Sequence, residues 1–476
     1  MTRLNSALHA LLRRSLLAFS ASILSCGSAL AADAAAEQKL FREIYKELVE
    51  INTSHSAGDN TKAANAMAKR LRDDGFAATD IQILEPFPRK GNLVMRFKGS
   101  GAKKPMLLLA HLDVVEAKRE DWATDPFKLQ EGDGYFTARG SIDDKAMASI
   151  FVSVLGQLKR EGYTPKRDII LALTSDEERG DVPSNGVFWL VKNQRALIDA
   201  EFGINEGGGG ELKDGKAHLQ RIQVAEKVFI TYTLETTNPG GHSSVPRPDN
   251  AIYQLNEALT RIAKHEFPVK ISEVTKAYFE RSAAFASGQE AADMRAVARD
   301  TPDAAALARL SAKAFYNAQF RTTCVTTMLE AGHAENALPQ RAKATVNCRI
   351  LPNDDAVEVE RTIRTLAGDK VAVKHLYPPT LSPPSPLRPD VLGTVEKLTQ
   401  QMWPGVPVVP SMSTGATDSR FLRNLGMPVY GVRIVRRPGR LSRPRPQRAD
   451  PRQATLRGPR VPVPPRQDAR RLRVIA

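Results

Sequence analysis

Apolar residues follow two distinct patterns in the first half of the chain. Over Gln38–Phe76 they recur every three or four positions, which predicts amphipathic helices. Met106–Ala110 and Asp168–Thr174 are instead short apolar runs typical of buried parallel strands, and Ala146–Leu158 between them has helical spacing. A strand, a helix and a second strand in this order form a βαβ unit. The pattern therefore predicts an α/β domain with a mainly parallel sheet and flanking helices.

The pattern changes near residue 222. Val228–Leu234 and Ala344–Leu351 are rich in β-branched and aromatic residues, which favours strands of a different sheet. We therefore expect a smaller α+β, ferredoxin-like domain over residues 222–377, inserted into an α/β domain formed by residues 32–221 and 378–432. Two domains also agree with the length, because 476 residues exceed a single ordinary core.

The basic character of the chain is confined to its two ends. The sequence holds 68 basic and 53 acidic side chains, a formal charge of +15. Residues 433–476 contain 14 arginines against two aspartates, and residues 1–31 contain three arginines and no acid, so the residues between are neutral overall. This distribution gives no reason to expect nucleic acid as a partner of the folded body.

Residues 1–31 have the layout of a secretory signal peptide. Two arginines precede the apolar stretch Leu16–Leu24 and the small-x-small cleavage signal Ala29–Ala31, with a lipid-modified Cys26 as the alternative. We expect a periplasmic or secreted protein without a membrane anchor after cleavage, since no later apolar run is long enough to span a bilayer. Cys324 and Cys348 could pair in that oxidising compartment, although nothing in the sequence shows that they do.

Candidate chemistry begins where predicted strands end. His111 and Asp113 follow the first apolar run, and alternate residues leaving a strand point the same way. Glu177 and Glu178 follow the second run, at the strand end where open α/β sheets place their sites. Each pair alone is a weak signal, because a lone His-x-Asp seldom binds metal and adjacent acids often form a solvated turn.

Three further segments add to this chemistry. Asp143 lies before a predicted helix, where a helix cap is the simpler explanation. Glu206 precedes four glycines, and such a run usually forms a flexible loop. It is not a phosphate-binding loop, because no Gly-Lys-Ser/Thr follows. His242 opens a loop in the inserted domain. Together, imidazole and carboxylate groups form a ligand set that suits zinc in a hydrolytic site.

The order of these segments resembles the co-catalytic zinc metallopeptidase family of carboxypeptidase G, acetylornithine deacetylase, succinyl-diaminopimelate desuccinylase and aminoacylase. The resemblance covers about residues 38–432. It rests on His111–Val115, Gly140–Lys145, Ser175–Glu178, Asn205–Gly208, Gly240–Ser244, Asn347–Pro352 and Gly415–Asp418. It implies a catalytic α/β domain that carries the inserted domain as a lid or dimerisation module.

The resemblance implies a centre of two zinc ions, for which Co²⁺ or Mn²⁺ could substitute. His111 and Glu206 would hold one ion and Glu178 the other, with Asp143 bridging both. The peptide bond between Asp143 and Asp144 would be cis.

Catalytic and substrate-binding roles follow from the same resemblance. Glu177 would be the general base that takes a proton from the metal-bridging water, and Asp113 would support His111. His242 would stabilise the tetrahedral oxyanion, in many relatives within the site of a partner subunit. Arg349 would bind the substrate carboxylate. The pocket would be lined by Asn336, Gly415 and Thr417.

The second zinc site lacks one ligand in this sequence. The family places a histidine in a carboxyl-terminal H-G-x-N-E motif, but no histidine follows His375. Residues 433–476 contain eight prolines among the arginines and no apolar period, which predicts an unstructured tail. A reading-frame slip from Arg433 explains both features, because a one-base shift allows a histidine in place of Pro444. Resequencing the corresponding codons tests this hypothesis.

The sequence thus predicts an exported metal-dependent hydrolase that cleaves an amide bond next to a free carboxylate, in a peptide or an N-acyl amino acid. The alternative is a catalytically impaired binding protein, because one metal ligand is missing. A third hypothesis, polyanion binding through the tail, is disfavoured because the arginines have no interleaved aromatic residues. The sequence leaves open whether the protein is a monomer or a homodimer.

Overall fold

The computed structural model describes residues 35–132, 135–180, 182–213, 215–433, 435–436 and 460–462. The predicted signal peptide, residues 1–31, and most of the predicted tail lie outside the described residues. In the described part of the chain, no helix is both long enough and apolar enough to cross a membrane.

Helices and strands alternate in the first part of the chain and again after the inserted segment. The helices are α1 (35–50), α2 (Asn60–Asp73), α3 (Lys145–Arg160), α4 (Gly186–Asn193), α5 (Arg195–Ile198), α6 (Ala251–Lys264), α7 (Glu273–Ser282), α8 (Gly288–Val297), α9 (Ala304–Ser311), α10 (Ala314–Phe320), α11 (Ala356–Ala367), α12 (Pro389–Met402) and α13 (Ser419–Arg423). The strands are β1 (Ile81–Leu84), β2 (Asn92–Phe97), β3 (Lys103–His111), β4 (Gln130–Gly132), β5 (Tyr135–Thr137), β6 (Arg167–Thr174), β7 (Phe202–Asn205), β8 (Gly209–Lys213), β9 (Lys216–Glu226), β10 (Val228–Thr237), β11 (Gly241–His242), β12 (Thr323–Ala331), β13 (Ala337–Leu338), β14 (Arg341–Ile350), β15 (Ala372–His375), β16 (Val408–Ser413), β17 (Val429–Gly431), β18 (Val435–Arg436) and β19 (Arg460–Pro462).

A ten-stranded mixed sheet forms the centre of the larger domain. Its order is β1-β2-β6-β3-β7-β17-β9-β8-β18, with β16 paired to β9, and the central pairs β6–β3, β3–β7 and β7–β17 are parallel. Both faces of β3 are buried: Met106 and Leu108 pack with α1, α2 and α3, whereas Leu107 and Leu109 pack with α4, α5 and α13. A continuous apolar run is what such a strand requires. The predicted α/β architecture with flanking helices is confirmed.

The helical pattern predicted over Gln38–Phe76 divides into α1 and α2, which are separated by residues 51–59. The side chain of Asp59 caps α2 by accepting a hydrogen bond from the backbone N–H of Lys62. The apolar face of α2 is buried against the large sheet, which explains the spacing of three and four residues in the sequence.

A smaller antiparallel sheet has the order β12-β14-β10-β15. Every second residue of β10 from Val228 onward is buried, and these side chains pack with α6 and α11 on one face. This alternation is typical of a sheet with one solvated face. Cys324 of β12 and Cys348 of β14 are directly opposite each other and form a disulfide, so the pairing that the sequence left open is present.

The chain passes from the large sheet to the small sheet at Lys227, between β9 and β10. Helices α7–α10 lie within the segment 222–377, yet their apolar residues form one core with Leu219 of β9 and Val409 of β16. That segment therefore contributes a small domain and also a helical layer on the large sheet.

The tail contains two short strands that the sequence did not predict. Val435 and Arg436 pair in parallel with Gly210 and Glu211 of β8, and Arg460–Pro462 pairs with β5. Both pairings add to sheet edges through backbone hydrogen bonds, which require no apolar period in the added segment. The expectation of a tail without secondary structure is therefore wrong at these residues.

Candidate metal centre

Three neighbouring strands bring the predicted residues to one edge of the large sheet. His111 ends β3, Glu177 and Glu178 begin a short 3-10 helix just after β6, and Glu206 directly follows β7. Because β6, β3 and β7 are parallel neighbours, their carboxyl ends meet at the same edge. Asp143 joins them from the loop before α3.

The glycines after Glu206 form a tightly packed turn. Gly208 has φ of +65°, and a Cβ atom there would lie 2.6 Å from the carbonyl oxygen of Gly431 in β17. Only glycine combines this conformation with so close a backbone contact. The glycine run is therefore a fixed turn that holds Glu206 in position, and not the flexible loop that such a run usually forms.

His111 is buried, with 2% of its surface exposed, and both ring nitrogens face oxygen atoms. Nδ1 lies 3.0 Å from the carbonyl oxygen of Asp113, and Nε2 lies 3.2 Å from Oδ1 of Asp143 and 3.9 Å from Oε1 of Glu206. Burial alone would lower the pKa of His111, but hydrogen bonds with Asp113 and Asp143 raise it well above its ordinary value. Nε2 is therefore the nitrogen that faces the carboxylate cluster.

Asp113 holds the turn that carries Glu177 and Glu178. Its two carboxylate oxygens accept hydrogen bonds from the backbone N–H groups of these two residues, each at 3.0 Å. Its carbonyl oxygen contacts His111 at the same time. Asp113 therefore contacts His111 through its backbone carbonyl and positions both glutamates through its carboxylate.

Lys90 is a residue of the site that the sequence did not indicate. Its Nζ donates to Oδ1 of Asp176 at 2.6 Å, and both side chains are buried. The hydroxyl of Ser184 donates to the other oxygen of Asp176, also at 2.6 Å. Asp176 has φ of 56°, a left-handed conformation that is costly for a residue other than glycine. These bonds therefore anchor the residue immediately before Glu177.

Carboxylates crowd this edge of the sheet. Burial raises the pKa of Glu177 well above its ordinary value, and the nearby charges of Glu206 and Asp418 add to this shift. Desolvation in the cleft raises the pKa of Glu178 to about 7, and burial also raises the pKa of Glu206. Removal of a carboxyl group from water disfavours its charged form, and a neighbouring negative charge adds to this effect. The cluster is thus suited to bind a cation.

Three overlapping groups of side chains could hold a metal ion, with the ligand atoms of each group within 4.8 Å of one another. The groups are His111, Asp143 and Glu178; His111, Glu177 and Glu206; and Asp143, Asp144 and Glu206. Both carboxylate oxygens of buried Asp144 lack a hydrogen-bond donor among the described residues, and the Asp143–Asp144 peptide bond is cis. Imidazole and carboxylate oxygens are donors that zinc and related ions accept. The residues therefore fit a divalent metal.

Arg433 lies in this cluster, although the sequence placed it in an unstructured tail. Its Nη2 donates to Oδ1 of Asp143 at 2.8 Å, contacts Oε2 of Glu206 and lies 3.6 Å from Oδ1 of Asp144. The predicted tail therefore begins inside the site. No motif could have indicated this contact, because it depends on the path of the chain after β17.

His242 lies in β11, which pairs with β13, and Asn336 lies in the turn directly before β13. The backbone N–H of Ser243 donates to the carbonyl oxygen of Asn336 at 2.9 Å, and His242 Nδ1 lies 2.7 Å from the hydroxyl of Ser244. Both predicted residues are exposed, and neither belongs to a possible metal group among the described residues. Their predicted contacts with substrate stay a prediction.

Arg349 approaches the turn of Glu177 through Phe229. The guanidinium of Arg349 lies 5.4 Å from the centre of the Phe229 ring, and that of Arg420 lies 5.8 Å from the same ring. A Cβ atom on Gly180, which directly follows the 3-10 helix, would lie 3.5 Å from Phe229. Burial lowers the pKa of Arg349. Arg420, which the sequence did not indicate, lies close enough to Glu177 for its charge to lower the pKa of that carboxyl, whereas predicted Arg349 packs on Phe229.

The loop with Gly415 and Thr417 leads to Asp418, whose charge acts on Glu177. The N–H and hydroxyl of buried Thr417 both donate to Oε2 of Glu226, at 2.9 and 2.8 Å. Thr417 thus donates both hydrogen bonds to a buried carboxylate, and its place in the pocket lining stays a prediction. Asp418, to which the sequence gave no role, accepts a hydrogen bond from Asn185 at 2.7 Å, and burial raises its pKa to about 7. Gly415 is half-buried at the start of the loop.

The family model described as peptidase family M20/M25/M40 matches residues 107–447. Human N-fatty-acyl-amino acid synthase/hydrolase PM20D1 is 29% identical over 347 residues, which are 69% of this chain and 66% of the relative. Probable carboxypeptidase S-like 2 from Dictyostelium discoideum is 29% identical over 350 residues, which are 70% of this chain and 65% of the relative. The chain therefore spans slightly less than two thirds of the length of these relatives.

Solved structures share the fold at lower sequence identity. The M20 family metallo-carboxypeptidase Sso-CP2 from Sulfolobus solfataricus superimposes with a TM-score of 0.62 at 17% identity, covering 82% of this chain and 90% of that one. Human carnosine dipeptidase 1 gives a TM-score of 0.58 at 16% identity, covering 84% and 90%. These likenesses support the two-domain architecture described above.

Proposed function

The chain belongs to the peptidase M20/M25/M40 family, as its ordered motifs predicted, and we propose that it is an exported metal-dependent hydrolase of amide bonds that adjoin a free carboxylate. The observation that carries this proposal is the convergence of His111 with Asp143, Glu178 and Glu206 around the turn of Glu177. The relatives include a carboxypeptidase and an N-fatty-acyl-amino acid hydrolase, so peptides and N-acyl amino acids are the proposed substrate class.

The metal would be held by His111, Asp143, Glu178 and Glu206, and zinc is the proposed ion, with Co²⁺ or Mn²⁺ as substitutes. A bound divalent ion polarises the substrate carbonyl and makes water more acidic. The buried imidazole supplies the nitrogen ligand, and the carboxylates balance the charge of the ion. Asp113 keeps Glu177 and Glu178 in place through their backbone N–H groups.

Glu177 acts as the general base in this proposal. Its carboxylate takes a proton from the attacking water and passes it to the leaving amine, a transfer that needs a carboxyl group with a raised pKa. Burial raises the pKa of Glu177 in the direction that this role requires. Lys90 and Asp176 keep the base in position, because Asp176 directly precedes it.

Arg349 binds the free carboxylate of the substrate. A guanidinium can donate two parallel hydrogen bonds to a carboxylate, and Arg349 stands beside Phe229 close to the turn of Glu177. In a homodimer, the exposed His242 and Asn336 would reach the site of the partner subunit, where His242 would stabilise the oxyanion. Export is supported by the signal-peptide pattern of residues 1–31 and by the Cys324–Cys348 disulfide, which oxidising compartments favour.

Hydrolysis of a matched substrate panel tests the proposal. The full chain, stripped of metal with a chelator, is assayed on dipeptides and N-acyl amino acids and on their carboxyl-terminal amides. We expect hydrolysis that returns with Zn²⁺ and that is lost on the amides. Absence of turnover on every acid substrate in the presence of Zn²⁺ would contradict the proposed activity.

A binding protein without turnover is the second candidate. Two observations favour it: no histidine follows His375, and Arg433 occupies part of the acidic cluster. This candidate predicts that the protein binds an N-acyl amino acid, measured by calorimetry, and leaves it intact. Turnover of the bound ligand would exclude it.

A further inference from the structure

The guanidinium of Arg433 is a cation supplied by the chain itself to the acidic cluster. It contacts Asp143 and Glu206 directly and lies 3.6 Å from Asp144, while only 17% of its side chain is exposed. These three carboxylates are the members of one of the possible metal groups. A metal ion in that group and the guanidinium would therefore compete for the same three carboxylates.

Glu178 is a possible metal ligand that Arg433 does not pair with. Glu178 makes no ion pair with Arg433, whose charged contacts are with Asp143, Asp144 and Glu206. Together with His111 and Asp143, Glu178 forms another possible metal group, which shares Asp143 with the first. The guanidinium therefore contacts all three members of the first group but, of the carboxylates in the second, only Asp143.

Charge explains why the side chain enters the site. Several carboxylates lie within a few ångströms of one another, and buried Asp144 has no hydrogen-bond donor to its oxygens among the described residues. A guanidinium stays protonated at every physiological pH and its planar donors match carboxylate oxygens. It carries a single positive charge, however, whereas a zinc ion carries two. Arg433 can thus compete with a second ion without excluding it at high concentration.

We propose that Arg433 is a built-in competitor for metal, so that the chain binds one divalent ion at His111, Asp143 and Glu178 and admits a second only by displacing the guanidinium. The sequence predicts an incomplete metal centre because a histidine ligand is missing. The structure adds a residue that is present and that fills the Asp143, Asp144 and Glu206 group. The inference rests on the proposed metal centre.

Zinc titration of the metal-free full chain tests this inference. We expect the wild type to bind one Zn²⁺ per chain and to bind a second ion at least about tenfold more weakly than Arg433→Ala does. In the wild type the second ion must first displace the charge-assisted hydrogen bonds of the guanidinium, which the alanine variant lacks. The Arg433→Lys variant keeps the positive charge without the planar donors, so its affinity for the second ion should lie between those of the wild type and Arg433→Ala. Arg341→Ala removes an exposed arginine of the small sheet and serves as the control, with no expected change.

The results separate the inference from the proposed function. Equal zinc stoichiometry and affinity in the wild type and Arg433→Ala would overturn the inference and leave the metal centre intact. No zinc binding by either protein would overturn the metal centre itself, and the inference with it.

A measurement on the wild type covers the case in which Arg433→Ala fails to fold. Phenylglyoxal modifies accessible arginines, and mass spectrometry of the digested protein reports each position. In the metal-free protein Arg433 should react more slowly than Arg341, and saturating zinc should increase its modification. Unchanged modification of Arg433 on zinc binding would overturn the inference.

Discussion

The two halves of the candidate site are built in different ways. The inner half, which consists of His111, Asp113, Glu177, Glu178 and Glu206, lies at the edge of the large sheet and is fixed by buried hydrogen bonds. The outer half consists of His242, Asn336 and Arg349 on the small domain, where the first two are exposed and the third is half-buried. The inner half can therefore be pre-organised by the fold, whereas the outer half gains its partners when substrate or a second subunit arrives. We therefore expect substitutions in the inner half to affect catalysis and stability, and substitutions in the outer half to affect ligand binding.

The largest effect is expected for Glu177→Gln, which removes the proposed base and keeps the shape of the side chain. General base catalysis contributes about 10²–10⁴-fold, so kcat/KM should fall by at least about 10²-fold. Zinc binding and the free energy of unfolding should change little, because Asp113 still binds the backbone N–H of residue 177. The exposed Glu120→Gln is the control for loss of a carboxylate. If the activity of Glu177→Gln were close to that of the wild type, Glu177 would not be the general base.

The second prediction concerns the buried ion pair behind the inner half. Lys90→Met leaves the charge of Asp176 buried without its partner, which costs about 3–5 kcal/mol of the free energy of unfolding. The exposed pair Lys69–Asp73 has the same N···O distance of 2.6 Å, so Lys69→Met is a matched control with an expected loss below about 1 kcal/mol. Urea denaturation measures both. Equal losses would show that burial does not distinguish the two pairs.

The inner half was predictable from the sequence because its residues directly follow strands. His111 and Glu178 each come after an apolar run, and parallel neighbours place such positions at one sheet edge. Lys90 and Arg433 could not be predicted, since neither belongs to a motif and both reach the site through long-range packing. The resemblance named Arg349 but gave no reason for its position, which the structure shows to be on the ring of Phe229.

A third prediction concerns the small domain that carries the outer half. Cys324 and Cys348 link β12 to β14 across 24 residues of sequence, and closure of a loop of this size is worth about 3 kcal/mol. The double variant Cys324→Ala/Cys348→Ala should lose about that amount of unfolding free energy and keep its zinc affinity. A reductant should destabilise the wild type to the same extent and have no effect on the double variant. Loss of zinc binding in the variant would show that the two halves are coupled.

The smallest effect separates binding from chemistry at Arg349. Removing charge-assisted hydrogen bonds costs about 1.5–3 kcal/mol, so Arg349→Ala should raise KM for an acid substrate by about tenfold or more and leave kcat nearly unchanged. For a bound ligand that is not hydrolysed, the same increase is expected in Kd. Arg349→Lys keeps the charge without the two parallel donors, so its KM and Kd should lie between those of the wild type and Arg349→Ala. Binding of a carboxyl-terminal amide should not respond to any of these variants. If acid and amide ligands lost affinity equally, Arg349 would act by packing on Phe229 and not by binding the substrate carboxylate.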